Sequence, residues 1–91
     1  MTKLAIERTT QFKRDFKRVV KQGKNMQKLK CVVELLVTKK TLPAMLRDHV
    51  LIGNYKGTRE CHLEPDWLLI YTLASDCVRL ERTGSHSALF T

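Results

Sequence analysis

No stretch of the sequence approaches the roughly 18 consecutive apolar residues that a membrane span needs. The opening segment, MTKLAIERTT, lacks the apolar core of an export signal. These absences predict a cytoplasmic protein with no membrane partner. Cysteine is scarce and odd in number, with only Cys31, Cys61 and Cys77 and no CxxC pair. That argues against a disulfide framework and for reduced, buried thiols. Four glycines and two prolines leave no linker or low-complexity segment, so residues 1–91 are read as one domain. Acid is also in short supply. Against 17 Lys and Arg stand nine Asp and Glu, for a net charge of +8. The excess lies in the first half, where residues 1–47 hold 13 Lys and Arg against three acids, a balance of +10. Such a half calls for a polyanionic partner, either nucleic acid or an acidic protein segment.

What is present is periodic. Lys3 to Arg8 alternates apolar and polar residues and predicts a short strand. Thr9 or Thr10 can cap a helix with Phe12, Phe16, Val19 and Val20 on one face and Lys13, Arg14, Lys17, Arg18 and Lys21 elsewhere. Gly23 is a natural stop. Asn25 can cap a second helix carrying Met26, Leu29, Val33, Leu36 and Val37. Leu42 to Gly57 reads as a connector. Three strands follow, Thr58 to Glu64, Trp67 to Ala74 and Cys77 to Thr83, joined at Pro65-Asp66 and Ser75-Asp76. The order β-α-α-β-β-β predicts an α+β domain with a two-helix hairpin on one face of an antiparallel sheet. The other face would be left as an open platform.

The segment RECHLEPDWLLIY, from Arg59 to Tyr71, holds more than a turn requires. By strand period, His62 shares a side with Glu60 and Glu64, while Cys61 and Leu63 face the core. Asp66 sits at the tip, Arg82 near the end of the last strand, His86 just beyond Gly84, and His49 in the connector. Every histidine thus falls at a strand end or in a loop, where sites form. Zinc ligation is not expected, because Cys61 points away from His62 and the spacing fits no usual zinc pattern. Histidines with an aspartate suit RNA strand cleavage without a metal. One group takes the ribose 2′-hydroxyl proton and another protonates the leaving 5′-oxygen, and histidine, with an ordinary pKa of roughly 6.5, can do either. Arginine can hold the charge that builds on the phosphate.

Three motifs, in order, carry a resemblance: D-H-x-L-x-G from Asp48, H-x-x-P-D-W from His62, and R-T-G-[ST]-H-x-x-L-F from Arg82. Together they resemble the YafQ branch of the RelE/ParE superfamily, toxins of type II toxin–antitoxin modules. The resemblance spans nearly the whole chain, with no departure at a motif position. It implies a RelE-like fold and cleavage of mRNA in the ribosomal A site without a cofactor or metal. It implies that His49, His62, Asp66 and His86 are catalytic. Trp67 and Phe90 match aromatic site residues, and Arg59 and Arg82 match basic positions near the scissile phosphate. The implied partners are a cognate DNA-binding antitoxin, the 70S ribosome with its mRNA, and operator DNA through the toxin–antitoxin complex alone. A different class, a ParE-like toxin that binds a protein such as gyrase without chemistry, has no need of the histidines.

Overall fold

The computed structural model describes residues 3–55 and 57–90. Strand β1 (Ala5–Arg8) leads into helices α1 (Thr10–Lys21) and α2 (Met26–Val37). The connector contains a 3₁₀ turn (Ala44–Leu46), a two-residue strand β2 (His49–Val50) and a second 3₁₀ turn (Gly53–Tyr55). Strands β3 (Arg59–Glu64), β4 (Trp67–Leu73) and β5 (Cys77–Gly84) follow, and a single helical turn, α3 (His86–Leu89), comes last.

The helices begin where the side-chain chemistry places them. Thr9 Oγ1 accepts the N–H of Phe12 at 2.9 Å, and Asn25 Oδ1 accepts that of Gln27 at 3.1 Å. Each satisfies one of the orphan donors of a first helical turn. Gly23, at a φ of +75°, turns the chain between the helices.

The sheet is mixed rather than antiparallel throughout. Its order is β1-β5-β4-β3-β2, and β1 lies parallel to β5, with Ala5 opposite Cys77 and Arg8 opposite Leu80. Short turns dictate the direction of β3, β4 and β5 relative to one another. The direction of β1 depends on a partner far along the chain, to which no local signal points.

One face of the sheet carries Cys61, Leu63, Trp67, Leu69, Tyr71, Val78 and Leu80, packed in one core with Phe12 and Val19 of α1 and Leu29, Val32, Leu36 and Val37 of α2. The expected stripe on α1 needs correction. Phe16 and Val20 stand partly exposed, and the inward line is Phe12, Asp15 and Val19. On α2, Val32 is buried and Val33 lies at the core margin.

The opposite face is not an open platform. Leu68 and Ile70 are covered by Leu89 of α3, with Leu51 and Tyr55 of the connector against them. Gly84 makes this cover possible. Its φ is +154°, and a Cβ there would come within 2.7 Å of Arg18 Nη2 and 3.5 Å of Ala88 and Leu89.

A bulge in β3 alters the expected parity. His62 pairs with Leu68, but Glu64, rather than Leu63, pairs with Trp67. Glu64 therefore leaves the side of His62 and meets Lys28 Nζ at 2.9 Å and Lys24 Nζ at 3.9 Å.

Beyond Leu80 the edge of β5 has no strand beside it, and α1 takes over. Thr9 Oγ1 donates to the carbonyl of Glu81 at 2.8 Å, Arg18 Nη2 to that of Thr83 at 3.1 Å, and the Thr83 N–H donates to Asp15 Oδ2 at 3.1 Å. Among the described residues, no helix is long and apolar enough to cross a membrane.

Candidate active site

On the face away from the helix hairpin, four rings stand in a row. The centroids of His49 and His62 are 6.2 Å apart, those of His62 and His86 5.7 Å, and those of His86 and Phe90 6.3 Å. Tyr55 closes the row edge-on to Phe90 at 5.4 Å.

Each ring is brought there by a different device. The short strand β2 sets His49 directly opposite Glu60. His62 lies two residues further along β3 on the same face, since its partner Leu68 and the Glu60 partner Ile70 both belong to the outer cluster. His86 opens α3. Its backbone N–H donates to Asp66 Oδ1 at 2.9 Å, and its ring Nδ1 lies 2.8 Å from the same oxygen. The turn after β3 thus both anchors α3 and orients the ring. Those hydrogen bonds, the backbone one foremost, hold the Asp66 carboxyl below its ordinary range. Ionised, it can only accept, so Nδ1 of His86 carries a hydrogen and Nε2 is left for another molecule.

Residues 85–89 are tied down by hydrogen bonds and burial. Ser85 caps α3 by accepting the Ala88 N–H at 3.2 Å, Leu89 is buried, and the Tyr55 hydroxyl donates to the Leu89 carbonyl at 3.0 Å. Phe90 remains 46% exposed, enough to offer a ring face.

Of the residues singled out in the sequence, the fold gathers His49, His62, Asp66, His86 and Phe90. Arg82 reaches the rim: its Nη1 lies 3.4 Å from the Tyr55 hydroxyl, but Nε and Nη2 are bound to Asp15 at 2.6 and 3.2 Å. Two residues do not belong. Trp67 is fully buried in the core, with Nε1 donating to Thr83 Oγ1 at 3.0 Å, so it has no face for a substrate base. Arg59 pairs with Tyr71, on the helix side of the sheet, and its Nη2 holds Asp48 Oδ2 at 2.9 Å. The Tyr71 hydroxyl donates to the same carboxylate. Burial, and then Asp48, push the tyrosine pKa well up. Arg59 is thus already paired, on the wrong face of the sheet.

Two site residues escaped sequence reasoning. Tyr55 looked like part of a connector. Strand parity places Glu60 on the side of His62 but gives it no role. It is in fact 5% exposed, with Oε2 3.0 Å from His49 Nε2. Glu60, His62 and His86 bring donor atoms within 4.8 Å of one another, close enough to share a metal ion. Cys61 has no part in such a set. It lies in the core, and burial pushes its thiol up to about 12.

The arrangement offers several proton-transfer groups in one row, with a half-exposed aromatic ring at its end. Comparison with known proteins gives the family and the fold. Residues 4–91 match the family model described as the bacterial toxin of type II toxin–antitoxin systems, YafQ. The mRNA interferase toxin YafQ of Escherichia coli K12 is 48% identical over 86 residues, covering 93% of this chain and 94% of that protein. The crystal structure of YafQ from E. coli BL21(DE3) superposes with a TM-score of 0.92 at 45% identity, over 97% of this chain and 99% of that one. YafQ in the E. coli DinJ-YafQ toxin–antitoxin complex does so with a TM-score of 0.89 at 46% identity, over 98% and 99%.

Proposed function

The chain belongs to the YafQ family of type II toxin–antitoxin toxins, and from that premise we propose that it is an endoribonuclease that cuts mRNA on the ribosome. The observation that carries this reading is the row His49, His62, His86 and Phe90 along one face, with Asp66 behind His86. A toxin that works by protein contact alone has no chemical need of it.

The proposed reaction moves two protons. The 2′-hydroxyl loses one to a histidine as its oxygen attacks the phosphorus. The bond from phosphorus to the 5′-oxygen breaks, and that oxygen gains a proton. His86 is assigned the second transfer, because its Nε2 is the free nitrogen and the Asp66 carboxylate behind it suits a ring that brings a proton in. His62 and His49 are left for the first. Arg82 at the rim offers charge to the phosphate oxygens. No step calls for a metal or cofactor. The basic surface of α1 and α2 is assigned to ribosomal RNA and to an acidic antitoxin segment. Operator DNA is met through the antitoxin complex.

The mechanism is tested on pre-assembled ribosomes carrying mRNA with a single 2′-deoxy nucleotide at the cleavage position. Cleavage should vanish there and persist with all-ribose mRNA. Normal cutting of the deoxy substrate would rule out attack by the 2′-oxygen.

Phe90 is assigned to stack on a base. Stacking on one base is worth roughly 1–3 kcal/mol, too little to decide ribosome binding but enough to misalign the reacting atoms. Phe90→Ala should bind ribosomes nearly as wild type and cleave at least about tenfold more slowly. Phe90→Trp should fall between them. Equal single-turnover rates for wild type and Phe90→Ala would remove Phe90 from the site.

A further inference from the structure

Among the described residues, the buried side-chain nitrogen and oxygen atoms with no hydrogen-bond partner are Glu60 Oε1 and His62 Nδ1. Buried polar atoms are rarely left unpaired without a reason. Glu60 and His62 bring donor atoms within 4.8 Å of each other, and the two unpaired atoms are complementary: no hydrogen bond joins them in this structure, but a small rotation that directs a hydrogen on His62 Nδ1 at Oε1 would satisfy both.

The other oxygen of Glu60 is already engaged. Nδ1 of His49 lies 2.8 Å from the carbonyl of Arg47, which can only accept, so that nitrogen carries a hydrogen. Nε2 of the same ring lies 3.0 Å from Glu60 Oε2. One more hydrogen must sit between them, on one atom or the other. Either way His49 has no lone pair free for a substrate proton while Glu60 is in place.

We propose that Glu60 is a positioning residue shared by two histidines. One oxygen occupies His49, and the other sets the tautomer of His62, which leaves His62 Nε2 as the acceptor of the 2′-hydroxyl proton. Glu60 does not itself touch substrate. It stands behind both rings, as Asp66 stands behind His86. This inference rests on the cleavage reading for its kinetics, but its statement about ring nitrogens stands independently.

Two measurements test it. The first needs no variant: nitrogen-resolved NMR of the histidine rings in the wild-type protein, in excess chelator so that no bound cation intervenes. Hydrogens are expected on Nδ1 of both His49 and His62. A His62 ring with its hydrogen on Nε2 alone would overturn the proposal.

The second is single-turnover cleavage by Glu60→Gln, which keeps the shape and loses the charge, beside Glu60→Asp. Glu60→Gln should cleave on the order of 100-fold more slowly, at the lower end of what a positioned acid or base contributes. Its half-saturating ribosome concentration should be unchanged, and Glu60→Asp should recover part of the rate. A folded Glu60→Gln that cuts at the wild-type rate would overturn it as well. Failure of the wild type to cut mRNA would instead sink the cleavage reading, and the NMR result would still decide the role of Glu60.

Discussion

Replacing His86 by alanine should abolish nearly all mRNA cleavage and leave the fold in place. The ring is about half exposed and stands outside both apolar clusters, so its loss opens no cavity. What it takes away is a ring with a free Nε2 at the centre of the row, 5.7 Å from the ring of His62 and 6.3 Å from that of Phe90 by centroids. A positioned acid or base contributes on the order of 10²–10⁴-fold, and a loss of that size is expected in single-turnover cleavage on programmed ribosomes. Thermal unfolding of the variant should lie close to that of wild type. Asp66→Asn supplies the internal control. If Asp66 works by orienting the His86 ring, Asn at this position should slow wild type markedly and add little to His86→Ala, because two residues acting through one group are not additive. Two equal and independent losses would mean that Asp66 acts on the substrate by another route.

The largest loss of stability should come from Asp15→Ala, at a position that looked like one acid on a basic helix. Asp15 is 2% exposed. It accepts from Arg82 at 2.6 and 3.2 Å and from the Thr83 N–H at 3.1 Å, and it lies 3.1 Å from Arg18 Nη2. Truncation strands a largely enclosed guanidinium and a buried backbone donor. Breaking a buried pair in this way costs about 3–5 kcal/mol. A chain of this length has only roughly 5–14 kcal/mol in all, at about 0.05–0.15 kcal/mol per residue. The urea midpoint should therefore fall steeply, with the melting temperature dropping by about 4–8 °C for each kcal/mol lost. Asp15→Asn, which still offers an oxygen to Thr83, should retain part of the difference. A change in Asp15→Ala below about 1 kcal/mol would show that Arg82 and Thr83 find other partners readily.

Local chemistry was legible in the chain. Thr9 or Thr10, of which Thr9 is the cap, and Asn25 announced the helix starts, Pro65-Asp66 the hairpin tip, and the period of two correctly opposed His62 to Cys61. Three kinds of feature were not. A bulge obeys no period, so the move of Glu64 to the helix side could not be read from alternation. Pairings between distant segments leave no local trace: the parallel seat of β1, the cover that α3 and Tyr55 lay over Leu68 and Ile70, and the reach of Asp15 to Thr83 all belong here. Motif matching, finally, does not report which face a residue occupies. It grouped Arg59 and Trp67 with the histidines, although both turn toward the helices, and it passed over Glu60, which lies between His49 and His62 in the fold.

The seat of β1 also orders the assembly of the molecule in time. Residues 5–8 find their partners at residues 77–80, nearly the whole chain away. During synthesis the first strand emerges with nothing to pair with, and both helices follow before their sheet exists. Closing so long a loop is the slow kind of event in folding, because its entropy is spent before any contact rewards it. His86 and Phe90 come later still, on and just after the helical turn that follows β5. A ribosome making this protein therefore carries it without the row of rings until His86 and Phe90 have been added.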